Sequence, residues 1–127
     1  MEPEVDGPNI DRMVDRVAGQ WNVDPARQLL TGMSDGGTFT YVLGLGGDCR
    51  FTHLAPVAAA FHPMMRGLAD SGRLRGLPVQ ILHGTQDWMF PPEMARDALQ
   101  ALEQAGAAVV YREIGRASCR ERVLRLV

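Results

Sequence analysis

The sequence predicts an α/β fold in which about four parallel strands form one sheet with helices on both faces, arranged as a three-layer sandwich. Short apolar runs typical of buried strands alternate along the chain with segments whose apolar residues recur at helical spacing. Such alternation favours parallel strands that are joined by right-handed crossovers. The chain has 127 residues, 46% of them hydrophobic and 22% charged, which suits one domain and is too short for two.

The first predicted element is an amphipathic helix from Ile10 to Trp21, with Asn9 as its cap, because apolar residues recur there at helical spacing. The segment from Asn22 to Pro25 ends this helix, since a proline cannot continue it. Buried strands are predicted at residues 27–33, 53–61, 79–83 and 107–114. Further helices are predicted at residues 38–45 and 91–105, and a short helix with a turn at residues 63–77.

A G-x-S-x-G motif lies between the first predicted strand and the helix after it, as Gly32-Met33-Ser34-Asp35-Gly36. This is the position of a nucleophile elbow, a turn so sharp that the serine takes an unfavourable backbone angle and small residues must lie two positions before and after it. The serine oxygen is then exposed beside the helix N-terminus, where the N–H of Asp35 can stabilise an oxyanion. The sequence therefore predicts Ser34 as a nucleophile. The alternative is an unreactive serine in a glycine-rich turn.

An aspartate follows the third predicted strand, in the segment His83-Gly84-Thr85-Gln86-Asp87. Because parallel strands end on one edge of the sheet, we expect Asp87 on the same edge as Ser34. A carboxylate there can orient an imidazole and stabilise its charged form, as the acid of a catalytic triad does. The alternative is a solvated loop aspartate that caps the helix beginning at Pro91.

Composition excludes several other classes of function. All 13 basic residues are arginine, and a chain without lysine has neither a phosphate-binding loop of the G-x-x-x-x-G-K type nor a Schiff-base mechanism. The formal net charge of −2 gives no reason to expect nucleic acid or an anionic membrane as a partner. Cys49 and Cys119 fit no metal or disulfide framework. The sequence shows neither a membrane span nor a signal peptide, so a cytoplasmic protein is expected.

Two segments, LLTGMSDGGTF and ILHGTQDWMFPPEMARDALQALEQAGAAVVYREI, resemble the later strands of the α/β-hydrolase fold. The similarity is to phospholipase/carboxylesterase and dienelactone-hydrolase-like esterases, and it covers about residues 9 to 114. It implies a partial α/β-hydrolase fold with Ser34 as the nucleophile and Asp87, in an HGxxDxxxP segment, as the triad acid. It also implies hydrolysis of small-molecule carboxylic esters or thioesters through an acyl-enzyme, with no metal or organic cofactor. Met33, Trp88 and Met89 are candidates to line the substrate pocket, with ordinary packing as the alternative.

The triad of this family also contains a histidine, which should follow the fourth strand. The sequence has three histidines, and none lies after Asp87. His53 opens the second strand, at the edge opposite the nucleophile, and His62 precedes the acid, against the family's chain order. His83 precedes a glycine at a strand end and is expected to be structural. The chain as written is therefore expected to be inactive by itself.

Residues 113–123 read EIGRASCRERV and resemble the translation of a short-read sequencing adapter. We therefore expect residues 1–114 to be the C-terminal part of an α/β-hydrolase domain and residues 115–127 to be a non-native tail. A basic arm that binds an acidic partner is the alternative for the tail. Two other interpretations stay open for the function: a truncated reading frame with no function of its own, and a non-catalytic binding protein on the hydrolase scaffold.

Overall fold

The structure is a computed structural model that describes residues 2–115. Within this range, helices and strands alternate along the chain as the sequence predicts. The elements are α1 (Pro3–Ala18), β1 (Leu29–Met33), α2 (Asp35–Gly44), β2 (His53–Val57), a 3₁₀ helix (Pro63–Ser71), β3 (Pro78–Gly84), α3 (Pro92–Gln104) and β4 (Ala108–Ile114). Every predicted helix and strand is present, although several begin or end at other residues.

The strands form one parallel sheet in the order β1-β2-β3-β4. Leu30 pairs with Leu54 across β1 and β2, and Leu54 pairs with Val79 across β2 and β3. Ile81 pairs with Tyr111 across β3 and β4. The predicted arrangement, four parallel strands with flanking helices, is confirmed. Among the described residues β1 has only β2 as a strand neighbour, so the strand that leads to Ser34 lies at an edge of the sheet.

Within residues 2–115 the helices cover one face of the sheet rather than both. In β3 the side chains of Val79, Ile81 and His83 are buried, whereas Gln80 on the opposite face is exposed. The reason is topological, because strands that advance in one direction through right-handed crossovers place every connecting helix on the same face. The third layer of the predicted sandwich is therefore not formed by the described residues.

The hydrophobic core lies between the covered face and the helices. α2 packs on β1 and β2, α3 packs on β3 and β4, and the 3₁₀ helix contacts both helices. Tyr41 of α2 is buried, and its ring meets that of Phe61 edge to face with the centroids 5.2 Å apart. Burial raises the pKa of Tyr41 above its ordinary value, and the charge of ionised Tyr111 adds to this effect. Other fully buried side chains of this core are Leu45, Leu54, Leu74, Ile81 and Leu102.

Helix α1 begins earlier than the sequence pattern predicts, at Pro3, so Asn9 lies inside the helix and is not its cap. Proline is tolerated in the first turn of a helix. The Glu2 N–H also donates to Asp6 Oδ2 at 2.8 Å, which stabilises this earlier start. Only part of the predicted apolar stripe reaches the core. The exposed members of this stripe are Met13, Val17, Ala18 and Trp21.

No helix within the described residues is long and apolar enough to cross a membrane. Cys49 is a half-buried free thiol. Residues 116–127, which include Cys119, lie outside the described range, so the hypothesis of a non-native tail at residues 115–127 stays a prediction.

Candidate active site

Ser34 lies at the turn between β1 and α2. Its backbone angles are φ 58° and ψ −122°, a combination that residues other than glycine rarely adopt. The Ser34 N–H donates to the carbonyl oxygen of Val57 at the end of β2 (3.0 Å), which ties the turn to the neighbouring strand. The predicted sharp turn between strand and helix, with an unfavourable backbone angle at the serine, is therefore present.

Two glycines allow the chain to make this turn, but they are not the symmetric pair of the motif. A Cβ atom on Gly32 would lie 2.3 Å from the carbonyl oxygen of Gly36, so only glycine fits there. A Cβ atom on Gly37 would lie 2.8 Å from both the Ala59 Cβ and the Val57 carbonyl oxygen. A Cβ atom on Gly36 would meet nothing within 4 Å. The prediction that a small residue is needed before the serine is thus right for Gly32. After the serine, the position that needs glycine is Gly37 and not Gly36.

Thr38, one helical turn after Ser34, connects the turn at Ser34 to the segment that follows β2. Its buried hydroxyl donates to the Ser34 carbonyl oxygen (3.3 Å) and accepts from the Ala60 N–H (3.0 Å). Because a buried N–H that loses its acceptor destabilises the fold, this hydroxyl holds the two segments together. Thr38 was not predicted from the sequence. A hydroxyl-bearing residue four positions after the serine is the one signal that could have suggested it.

The N–H of Asp35, the predicted oxyanion donor, belongs to the first turn of α2. Asp35 is the first residue of α2, and the N–H groups of a first helical turn have no acceptor within the helix. The N-terminus of the helix also carries a partial positive charge, which favours an anion at this position. The side chain of Asp35 is exposed and does not take part in the turn.

Asp87 follows β3 and lies on the same edge of the sheet as Ser34, because β1 and β3 run parallel. Its side chain is only 1% exposed. Oδ1 accepts hydrogen bonds from the N–H groups of Met89 and Phe90, each at 3.0 Å. Oδ2 is buried and has no hydrogen-bond partner among the described residues. Asp87 is therefore not a solvated loop residue: one carboxylate oxygen is used by its own loop, and the other is unpaired.

Each of the three histidines has surroundings of its own. His83, at the end of β3, is buried, and its Nε2 lies 2.7 Å from the carbonyl oxygen of Phe90, in agreement with the expected structural role. His53 opens β2, at the edge opposite Ser34, and its Nδ1 lies 2.8 Å from Thr52 Oγ1. His62 is exposed and immediately precedes the 3₁₀ helix.

The three residues proposed to line a substrate pocket are exposed. Met33 ends β1 and is 44% exposed, while Trp88 and Met89 follow Asp87 and are 80% and 51% exposed. All three therefore lie at the sheet edge that carries Ser34. Packing into the core, the alternative considered for them, does not occur in the described part of the chain. Their role in a pocket stays a prediction.

A polar cluster on α3 and β4 was not predicted from the sequence. Glu113 Oε1 accepts from the Tyr111 hydroxyl at 2.6 Å and from Arg96 Nε and Nη2 at 2.8 and 2.7 Å. The hydrogen bonds from Tyr111 and then Arg96 hold the pKa of Glu113 below its ordinary value. Partial burial, and after it the hydrogen bond to Glu113, raise the pKa of Tyr111 to about 12. The cluster connects α3 to β4.

Across residues 2–115, no group of three histidine, cysteine or acidic side chains could hold a metal ion.

Several solved structures resemble this chain. A thermostable esterase matches 86% of it at 20% identity with a TM-score of 0.70. SOBER1 from Arabidopsis thaliana matches 94% at 18% identity with a TM-score of 0.64. The S-formylglutathione hydrolase FrmB from Staphylococcus aureus matches 86% at 18% identity with a TM-score of 0.68. No protein-family model matches the sequence, and a search of curated proteins gives no match.

These similarities concern the fold. The chain spans 28% of the thermostable esterase, 57% of SOBER1 and 51% of FrmB. Together with the parallel sheet and its flanking helices, they show that the chain has part of an α/β-hydrolase fold. The resemblance predicted from the sequence is confirmed at this level.

Proposed function

We propose that this chain carries the nucleophile and the acid of a serine hydrolase that cleaves small-molecule carboxylic esters or thioesters through an acyl-enzyme. Ser34 attacks the carbonyl carbon, and an imidazole takes the serine proton and then gives it to the leaving group. Asp87 orients that imidazole and stabilises its charged form. The N–H of Asp35 stabilises the oxyanion. The reaction needs no metal or organic cofactor.

The observation that carries this proposal is the backbone conformation of Ser34. Backbone strain of this kind costs about 1–3 kcal/mol and persists only where the surrounding structure holds it. Here the close contact at Gly32 and the hydrogen bond to Val57 hold it. A serine without a chemical role gains nothing from this conformation, whereas a nucleophile gains an exposed oxygen beside a helix N-terminus.

The unpaired Oδ2 of Asp87 supports the assignment of the acid. A buried acceptor without a donor costs about 1–3 kcal/mol, and more when it is charged. A donor from outside the described residues removes this cost, and the N–H of a catalytic imidazole is such a donor. Because Oδ2 is buried, the imidazole reaches it only when the atoms that cover it move aside.

The proposed base is none of the three histidines of the sequence. His83 and His53 are hydrogen-bonded elsewhere, and His62 precedes Asp87 in the chain. We therefore propose that this chain alone hydrolyses esters no faster than a Ser34→Ala variant, since loss of a triad base lowers the rate by about 10⁴-fold or more in comparable enzymes. A base supplied from outside should restore part of the reaction.

Free imidazole tests the proposal on this chain. Hydrolysis of an activated aryl ester is measured at rising imidazole concentration for the wild-type chain and for Ser34→Ala. We expect imidazole to raise the wild-type rate above that of Ser34→Ala by about tenfold or more, below the full effect of a positioned base. Asp87→Asn should lose most of this gain, whereas Asp97→Asn, a matched change at an exposed aspartate of α3, should keep it. Equal rates for wild-type and Ser34→Ala at every concentration contradict the proposal.

A further inference from the structure

His83 is a buried histidine that the proposed reaction does not use. It lies in β3, and its side chain is 1% exposed. Its Nε2 lies 2.7 Å from the carbonyl oxygen of Phe90. Because a carbonyl oxygen can only accept, Nε2 carries the hydrogen and donates it. The other ring nitrogen, Nδ1, is buried and has no hydrogen-bond partner in the described part of the chain.

The stretch of backbone that His83 holds also holds the Asp87 carboxylate. The Phe90 N–H donates to Asp87 Oδ1 at 3.0 Å, while the Phe90 carbonyl accepts from His83. The Met89 N–H gives Oδ1 a second hydrogen bond at 3.0 Å, and the Asp87 N–H donates to the Gly84 carbonyl at 3.2 Å. Both the N–H and the carbonyl of Phe90 are thus hydrogen-bonded, and Oδ1 accepts its hydrogen bonds from amides of its own loop.

His83 does not pair with the second carboxylate oxygen, although it lies close to it. The distance from Nε2 to Asp87 Oδ2 is 3.8 Å, beyond the range of a hydrogen bond. Since the Nε2 hydrogen is donated to Phe90, Oδ2 keeps its capacity to accept from another donor. A histidine that gave this hydrogen to Oδ2 would compete with a catalytic imidazole for that oxygen.

We infer that His83 is a positioning residue: its Nε2–H holds the Phe90 carbonyl, so that the loop amides occupy Oδ1 of Asp87 and Oδ2 stays free for the catalytic imidazole. The inference rests on the proposed function, because that imidazole is the partner assigned to Oδ2. The effect of His83 on the loop after β3 can nevertheless be measured without any catalytic assay. A side chain that only filled the core would make no use of the hydrogen on Nε2.

Two variants separate positioning from packing. His83→Gln keeps an N–H donor near the place of Nε2, whereas His83→Leu keeps a similar volume without a donor. Amide hydrogen exchange of Met89 and Phe90 is measured by NMR relative to Ile81, a buried residue of the same strand. We expect exchange about tenfold faster at Met89 and Phe90 in His83→Leu, and close to wild-type in His83→Gln. The inference is overturned if the Met89 and Phe90 amides exchange at the same rate in His83→Leu as in His83→Gln.

A measurement on the unaltered chain covers the case in which His83→Leu does not fold. The ¹⁵N chemical shifts of the His83 ring show which nitrogen carries the hydrogen. The inference requires it on Nε2, with a coupling across the hydrogen bond to the Phe90 carbonyl, and a hydrogen on Nδ1 alone overturns it. Neither readout depends on Ser34. If imidazole gives no Ser34-dependent hydrolysis but the Met89 and Phe90 amides exchange as expected, only the proposed function is contradicted. If imidazole does give Ser34-dependent hydrolysis but these amides do not exchange as expected, only the role of His83 is contradicted.

Discussion

A Cβ atom on Gly32 would lie 2.3 Å from the carbonyl oxygen of Gly36, although a Cβ atom on Gly36 itself would touch nothing within 4 Å. The two glycines of the G-x-S-x-G motif therefore have different roles. Gly32 is needed because it has no side chain, whereas Gly36 contributes its backbone. This asymmetry allows the geometry of the turn at Ser34 to be tested without reference to catalysis.

Alanine at Gly32 should destabilise the fold strongly, and alanine at Gly36 should not. In Gly32→Ala the new methyl group meets backbone atoms that cannot move aside, so we expect a loss of about 3 kcal/mol or more in the free energy of unfolding. Gly36→Ala lies in the first turn of α2 and should change this free energy by about 1 kcal/mol or less. Urea denaturation of both variants measures the difference, and comparable losses would show that the turn at Ser34 is packed differently.

Thr38 should contribute more to stability than Thr40, although both are buried threonines of α2. Thr38→Val leaves the buried Ala60 N–H without its acceptor, at a cost of about 1–3 kcal/mol. The Thr40 hydroxyl only donates to the Gly36 carbonyl of its own helix, so Thr40→Val should cost about 1 kcal/mol or less. Thermal or urea unfolding of the two variants measures this. The role given to Thr38 is wrong if Thr40→Val is the more damaging change.

The parallel sheet and the turn at Ser34 could be predicted because they follow from local patterns and from the alternation of strands and helices along the chain. The packing around this turn could not be predicted, since the need for Gly37 arises from Ala59, a residue far away in the chain. The burial of Asp87 could not be predicted from the sequence either, because it depends on how the loop after β3 folds so that its amides bind the Asp87 carboxylate. The start of α1 was missed because the predicted cap, Asn9, gave a competing signal.

The cluster around Glu113 predicts a pH dependence of stability in the acid range. Folding lowers the pKa of this carboxyl group, so its stabilising effect is present above the unfolded pKa and is lost as the pH falls through the lower, folded value. Between about pH 5 and pH 3, the urea midpoint of wild-type should fall more steeply than that of Glu113→Gln. Glu93→Gln removes an exposed carboxylate beside the same Arg96 and should follow wild-type. Parallel curves for wild-type and Glu113→Gln would contradict the assignment.

The outer edge of β1 should promote self-association. Among the described residues only β2 pairs with this strand, and an unprotected edge can pair with another chain. Leu29 on β1 is 56% exposed, so Leu29→Lys adds a charge to the edge without burying it. Sedimentation velocity should show concentration-dependent association that Leu29→Lys reduces and that Met64→Lys, at an exposed position of the 3₁₀ helix, leaves unchanged. A wild-type chain that stays monomeric at all concentrations would exclude this role of the edge.

The central claim is that Ser34 and Asp87 act on one imidazole between them, and a crystal structure of the chain grown with imidazole tests it most directly. The claim predicts one imidazole nitrogen about 2.6–3.2 Å from Asp87 Oδ2 and the other at a similar distance from Ser34 Oγ, with no direct hydrogen bond between the two residues. It also predicts that Ser34 keeps its positive φ. The claim is contradicted if Asp87 Oδ2 stays buried and unpaired with imidazole bound elsewhere, or if the Asp87 carboxylate points away from Ser34.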